Sequence, residues 1–280
     1  MRALLAAILL AAGLAWPVAA RAQDNVLTVT VGPRERTFTV ANLLRRTDAA
    51  TINIPVDVAY GAPMTYRAVP LHQLLGLSEG AAFDTIEARA ADGFASQIPL
   101  ELITQGASGG AVPWIAVEDP RRPWPALPGK TVSAGPFYLV WEHPERSSVG
   151  NEMWPFQLAS LRAVANPARR WPQLVVDASL PEDSPARRGQ GVFITQCIAC
   201  HRMKGAGASD MGPDLGEPMS PTRYMTPDGL RALIRDPKAV RTWPQQQMPG
   251  FSAAALPDDD LEALIAYLEY MASAPQAEGD

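Results

Sequence analysis

Cys197-Ile198-Ala199-Cys200-His201 decides how this chain is read. The spacing is C-x-x-C-H, the attachment signal for a c-type haem. Two thiols at this separation can add across the two vinyl groups of one haem, and the adjacent imidazole can reach the iron from the proximal side. They are the only two cysteines in 280 residues. Two other chemistries use the same spacing: a thioredoxin-type dithiol and half of a zinc site. A thioredoxin motif follows a strand and opens a helix, whereas here a helical pattern runs into the motif. A zinc site needs further thiolates, and no second cysteine pair exists.

That helical pattern begins at Ser184, a good N-cap, with Pro185 as the first helical residue. Gly189, Phe193 and Cys197 fall at i, i+4 and i+8, one stripe of a helix. Glycine in the stripe lets a second helix cross closely, and Phe193 packs at the crossing. The last helix starts at Pro257, with Asp258, Asp259 and Asp260 in its positive first turn. Leu261, Leu264, Ile265 and Leu268 form its apolar face, with Tyr267 beside it. A further helix is expected from Met225-Thr226-Pro227-Asp228 to about Arg235.

The motif and its two helices resemble the class I cytochrome c family over residues 184–275. The resemblance implies an all-α domain, one covalently attached haem c, and one-electron transfer by an iron with both axial positions filled. Gly212-Pro213-Asp214-Leu215 resembles the family's loop over the proximal histidine, which would make the Pro213 carbonyl the acceptor of the imidazole N–H. No histidine follows His201, so this domain offers no second imidazole. Met203 sits too close to His201 to reach the far face of the ring. Met211 and Met219 flank the Pro213 loop, and Met225 opens a helix. Met248, in Gln247-Met248-Pro249-Gly250-Phe251, lies just before the last helix, where the family places its distal methionine. The expected cofactor-binding set is therefore Cys197, Cys200, His201, Pro213 and Met248, with His201 and Met248 on the iron and no catalytic residue. Thioether ligation and a dry pocket favour the reduced iron, so the potential should be positive.

Residues 24–166 read differently. Stretches 26–31, 36–40, 50–58, 82–88, 94–98, 114–117, 137–141 and 158–164 are β-branched, aromatic or alternating and read as strands. Gly32-Pro33 and Asp92-Gly93 are turns. Short helices are expected at 42–46, at 69–76 between Pro70 and Gly76, and at 99–103. The result is an α+β, mostly β domain. Tyr66-x-x-Val69-Pro70-Leu71-x-x-Leu74-Leu75, Ala91-Asp92-Gly93-Phe94-x-x-x-Ile98-Pro99-Leu100 and Gly135-Pro136-Phe137-Tyr138-Leu139-Val140 resemble, in that order, the molybdopterin-binding domain of the sulfite oxidase family. Those enzymes hold molybdenum through a cysteine thiolate, and residues 24–166 contain no cysteine. The resemblance thus implies a degenerate, cofactor-free relative serving as scaffold or docking domain. His72 reads as structural, His143 and Arg121-Arg122 as exposed turns, and Trp114, Trp124, Trp141 and Trp154 as core rather than a binding cleft.

Residues 1–22 read as a cleaved signal peptide: Arg2, an apolar run from Ala3 to Leu14 too short for a comfortable span, a break at Trp16-Pro17, and the Ala20-Arg21-Ala22 cleavage pattern. Its removal takes the net charge from -5 to about -7. An acidic protein of this kind is a poor partner for nucleic acid or anionic lipid. Residues 167–183 read as a linker, with Leu174-Val175-Val176 as one added strand, and residues 276–280 as a disordered tail. The expectation is a periplasmic protein without a membrane span in its mature chain. It would carry single electrons from a periplasmic dehydrogenase to a cytochrome or terminal oxidase. Two other classes stay open: the cytochrome part of a molybdenum, sulfite dehydrogenase-like oxidoreductase, and a haem-based sensor or assembly subunit.

Overall fold

Alternation builds the first half of the molecule. In β1 (Val26–Val31) the apolar Leu27 and Val29 point inward and are fully buried, while the alternating Thr28 and Thr30 are only half-buried. The computed structural model describes residues 25–77, 83–147, 149–244 and 246–273. The expected signal peptide, residue 82 and the tail at 276–280 lie outside them.

β1 is followed by β2 (Arg34–Thr39), α1 (Val40–Leu44), β3 (Ala50–Ile54), β4 (Met64–Pro70), α2 (Leu71–Leu75), β5 (Thr85–Ala90), β6 (Ala95–Pro99), α3 (Leu100–Thr104), β7 (Val112–Val117), β8 (Phe137–Glu142) and β9 (Leu158–Val164). They form a five-stranded sheet, ordered β2-β1-β9-β5-β6, and a four-stranded sheet, ordered β3-β4-β7-β8. β1 and β9 pair in parallel and the other neighbours are antiparallel. One core lies against both sheets, with Ile86 and Leu161 from the first and Ile115, Leu139 and Trp141 from the second. The strand-rich expectation therefore holds.

Three local readings change. β4 extends through Pro70, which pairs with Trp114 on β7, so the helix starts at Leu71; Pro70 immediately precedes it and Gly76 closes it at φ 57°. β3 stops at Ile54 because Asp57 gathers the backbone. Its buried carboxylate accepts the Ala59 and Tyr60 N–H groups at 2.9 Å and the Tyr66 and Tyr138 hydroxyls at 2.8 and 3.2 Å. Satisfying a buried carboxylate in this way demands a turn, not a strand. Leu174-Val175-Val176 forms no strand: Pro172 starts a single 3-10 turn, and Gln190 takes the Val176 N–H at 2.8 Å. Trp141 and Trp154 are core as expected, whereas His72 is exposed beside Gln73.

A short helix α4 (Pro167–Arg170) leads into the second half. α5 (Pro185–Val192), α6 (Pro227–Arg235) and α8 (Asp258–Ser273) line a second core, with α7 (Pro237–Val240) following α6. This core reaches back before Ser184, since Leu174 and Val176 are buried in it. The two halves meet. Arg170 reaches the carboxylate of Glu87 at 2.8 Å; Glu87 is 1% exposed and also has Arg89 and Arg162 within 4 Å. The Ala95 N–H donates to the Ala199 carbonyl at 2.9 Å, and Arg89 donates to the Ala208 carbonyl at 2.6 Å. Among the described residues no helix is long and apolar enough to cross a membrane.

Candidate functional site

The site is built on the crossing of α5 and α8. Gly189 is buried where the helices touch, and a Cβ there would overlap the Ala263 carbonyl. One turn on, the Phe193 and Tyr267 rings pack with centroids 5.5 Å apart. The Tyr267 hydroxyl is buried and donates to the Leu174 carbonyl at 2.9 Å, which satisfies the one polar atom of that contact. The stripe expected from Gly189, Phe193 and Cys197 is thus a real packing seam.

Beyond Val192 the helix widens. Residues Phe193–Cys197 form a π turn, closed by the Ile198 N–H on the Phe193 carbonyl at 2.9 Å. π turns inside helices recur at functional sites. Here the turn ends on the first thiol. The chain then curls tightly, with the Cys200 and His201 N–H groups both on the Cys197 carbonyl, at 3.1 and 2.9 Å. That curl brings the second thiol and the imidazole round beside the first.

The imidazole is fixed from behind. His201 Nδ1 lies 2.8 Å from the Pro213 carbonyl. A carbonyl only accepts, so Nδ1 carries the proton and Nε2 keeps its lone pair. Burial pushes the His201 pKa down, against the opposing pull of the Pro213 carbonyl and Asp214. The ring is therefore held neutral, the form that ligates a metal. Gly212 donates to the Cys200 carbonyl at 2.8 Å, and a Cβ on it would collide with the ring. Pro213 has the place the sequence assigned to it.

Asp214 organises this loop, a role not read in the sequence. Its carboxylate accepts the N–H groups of Lys204, Gly205, Gly216 and Glu217 at 2.7 to 3.1 Å. The signal was present, because an aspartate flanked by glycines favours such turns. Holding residues 204–217 in one shape keeps the Pro213 carbonyl on the imidazole.

The thiols are free and unpaired with each other. Burial raises both, and the nearby Glu152 adds to the rise; Cys200 is pushed up to about 12. A redox dithiol needs the opposite shift, a depressed thiol pKa. Among the described residues no group of three or more His, Cys, Asp or Glu could hold a metal ion. These two observations leave addition to haem vinyl groups as the chemistry that suits the pair. Two buried donors also lack partners among the described residues, Arg202 Nε beside His201 and Gln246 Nε2 near Met248. Such donors suit the carboxylates that a haem carries.

The methionines separate by burial. Met203 is fully buried and its backbone bridges to Ala206, whereas Met219 is 54% exposed. Met225 and Met248 are partly buried and both pack against the second core. Met271 on α8, not weighed in the sequence, is buried in the same core.

Comparison with known proteins agrees with this geometry. Residues 186–272 match the family model described as cytochrome c. No curated protein gives a significant match to the chain. The C-terminal part of the chain, residues 186–272, is a cytochrome c domain, and this is an electron-transfer haem protein.

Proposed function

We propose that this protein is a periplasmic monohaem cytochrome that shuttles single electrons between a periplasmic dehydrogenase and a downstream cytochrome or oxidase. The observation that carries the reading is the 2.8 Å bond from His201 Nδ1 to Pro213, which presents Nε2 of a neutral imidazole beside two free thiols. The haem supplies a one-electron iron couple when bound. Cys197 and Cys200 would fix it to the chain, and His201 would offer Nε2 to the iron.

In this reading Met248 would supply the second ligand to the iron. Its loop is anchored at the end of α6. The Phe251 N–H donates to Ile234 at 3.0 Å, and Arg235 donates to the Phe251 and Leu256 carbonyls at 2.9 and 2.6 Å. A Cβ on Gly250 would press into the Arg235 carbonyl, so the chain passes close there. An anchored loop delivers a side chain to one place. Met225 is held instead by its N–H on the Pro221 carbonyl at 2.9 Å, at the entry to α6.

The strand-rich half is read as a relative of the sulfite oxidase molybdopterin domain, working without the metal as scaffold and docking surface. Its three resembling blocks become β4 with α2, the β5–β6 hairpin entering α3, and β8. Residues 24–166 supply no thiolate for molybdenum. One preparation tests both halves: holoprotein made in a molybdenum-replete host is treated with acid–acetone and analysed for metals. Haem should stay with the polypeptide and iron should appear without stoichiometric molybdenum. Extractable haem would overturn the cytochrome reading, and a Mo:Fe ratio near one would move the chain to the molybdenum enzymes.

A further inference from the structure

The strand-rich half does more than sit beside the cytochrome domain; it touches the segment that carries the thiols. Residues Asn151–Met153 form a short 3-10 turn that contacts β6, the strand whose Ala95 N–H holds the Ala199 carbonyl between the two cysteines. Gly150 packs beside Gln196, the residue preceding Cys197. Glu152 hangs from this turn with its Oε2 buried and without a hydrogen-bond partner among the described residues. Its charge is felt by both Cys197 and Cys200.

A buried carboxyl oxygen with no partner calls for an explanation. Thioether formation supplies one. The two sulfurs would be bonded to the edge of the porphyrin, so a buried carboxyl close enough to act on both would lie near that edge as well. We propose that Glu152, contributed by the strand-rich half, belongs to the haem environment and sets the iron's potential through its charge. This rests on the haem reading above.

The physical link is electrostatic. A carboxylate near the iron favours the ferric charge, and adding an electron makes the carboxylate harder to keep ionised. Burial pushes the Glu152 carboxyl up to about 7, while its own backbone N–H pulls the other way. The group therefore changes charge within the working range, and the potential should fall as pH rises through it. Other charges face the same place. Asp92, on the β5–β6 turn, acts on Cys200, and Asp210 lies beside Gly93; both are exposed, so water screens them. The thiols cease to titrate once they are thioethers.

The experiment is a redox titration of the full-length holoprotein from pH 5.5 to 8.5, with Glu152→Gln, Glu152→Ala and Asp92→Asn. If ferrous protein binds the proton tenfold more tightly than ferric, the potential falls by about 59 mV in all across the range. Both Glu152 variants should give a flat profile, lying above the parent at high pH, with haem still covalent and its spectrum unchanged. Asp92→Asn keeps the turn acceptor and should retain the slope. A parent profile that is flat, or a slope that survives in Glu152→Gln, overturns the proposal while the covalent haem leaves the cytochrome reading standing. Haem lost from the parent itself would fail the earlier reading instead.

Discussion

Gly189→Ala tests the crossing on which the site is built, because two opposed effects fix its sign. On an open helix surface, alanine in place of glycine stabilises by about 1 kcal/mol. At Gly189 the new Cβ would overlap the Ala263 carbonyl and come within 2.7 Å of the Tyr267 Cβ. Ordinary carbon contacts need about 3.5 Å or more, and neither obstacle is a flexible side-chain end. The helices must part, at the upper end of an overpacking cost of about 3 kcal/mol. The net loss should be about 2 kcal/mol. Gly191, on the same helix, has nothing within 4 Å of its would-be Cβ. Gly191→Ala should therefore stabilise by about 1 kcal/mol, which puts the two variants about 3 kcal/mol apart. Urea unfolding of the holoproteins, followed at the haem Soret band, reads both. If Gly189→Ala matches or exceeds the parent in stability, the α5–α8 contact is not the one described.

Met248→Ala should abolish the weak sulfur-to-iron band at the red edge of the ferric spectrum, lower the potential and admit exogenous ligands, while Met225→Ala leaves all three nearly unchanged; the reverse pattern would reassign the ligand. Glu87 supplies a pH prediction. Burial pushes its carboxyl up, but the bonds from Arg170 and Gln97 and the charge of Arg89 outweigh that and hold it below the usual carboxylate range. A depressed carboxylate stabilises the fold above its unfolded value, about 4.3, and loses that contribution as pH falls through the folded value. Arg170→Ala should then cost about 3 kcal/mol at pH 7, and progressively less below about pH 4. A cost that stays constant down to pH 3 would show that the pair does not work as an ion pair.

Much of this molecule is legible locally. Val26–Val31 alternates and becomes a strand. The stripe from Gly189 to Cys197 needs only helical spacing to be seen. What escapes the sequence is held by distant partners. Pro70 looks like a helix start until β7 pairs with it. Asp57 breaks a strand-like run because hydroxyls from Tyr66 and Tyr138 meet it in the core. Glu152 is one acid among 29 acidic residues until the fold sets it against Cys197 and Cys200. No periodicity marks a residue whose meaning comes from the other half of the chain.

The π turn at Phe193–Cys197 sets a constraint on length rather than on chemistry. In an α-helix each step of four residues overshoots a full turn by about 40°, so two such steps drift about 80° from the starting face. The wider turn absorbs the second overshoot, and Cys197 stays in phase with Phe193 on the side of Tyr267. Thr195 helps by donating its hydroxyl to the Gly191 carbonyl at 3.0 Å, one of the acceptors that widening releases. A one-residue insertion anywhere in 194–196, carried as regular helix, would swing Cys197, Cys200 and His201 together by about 100°. The five-residue motif would survive intact in the sequence and face the wrong way.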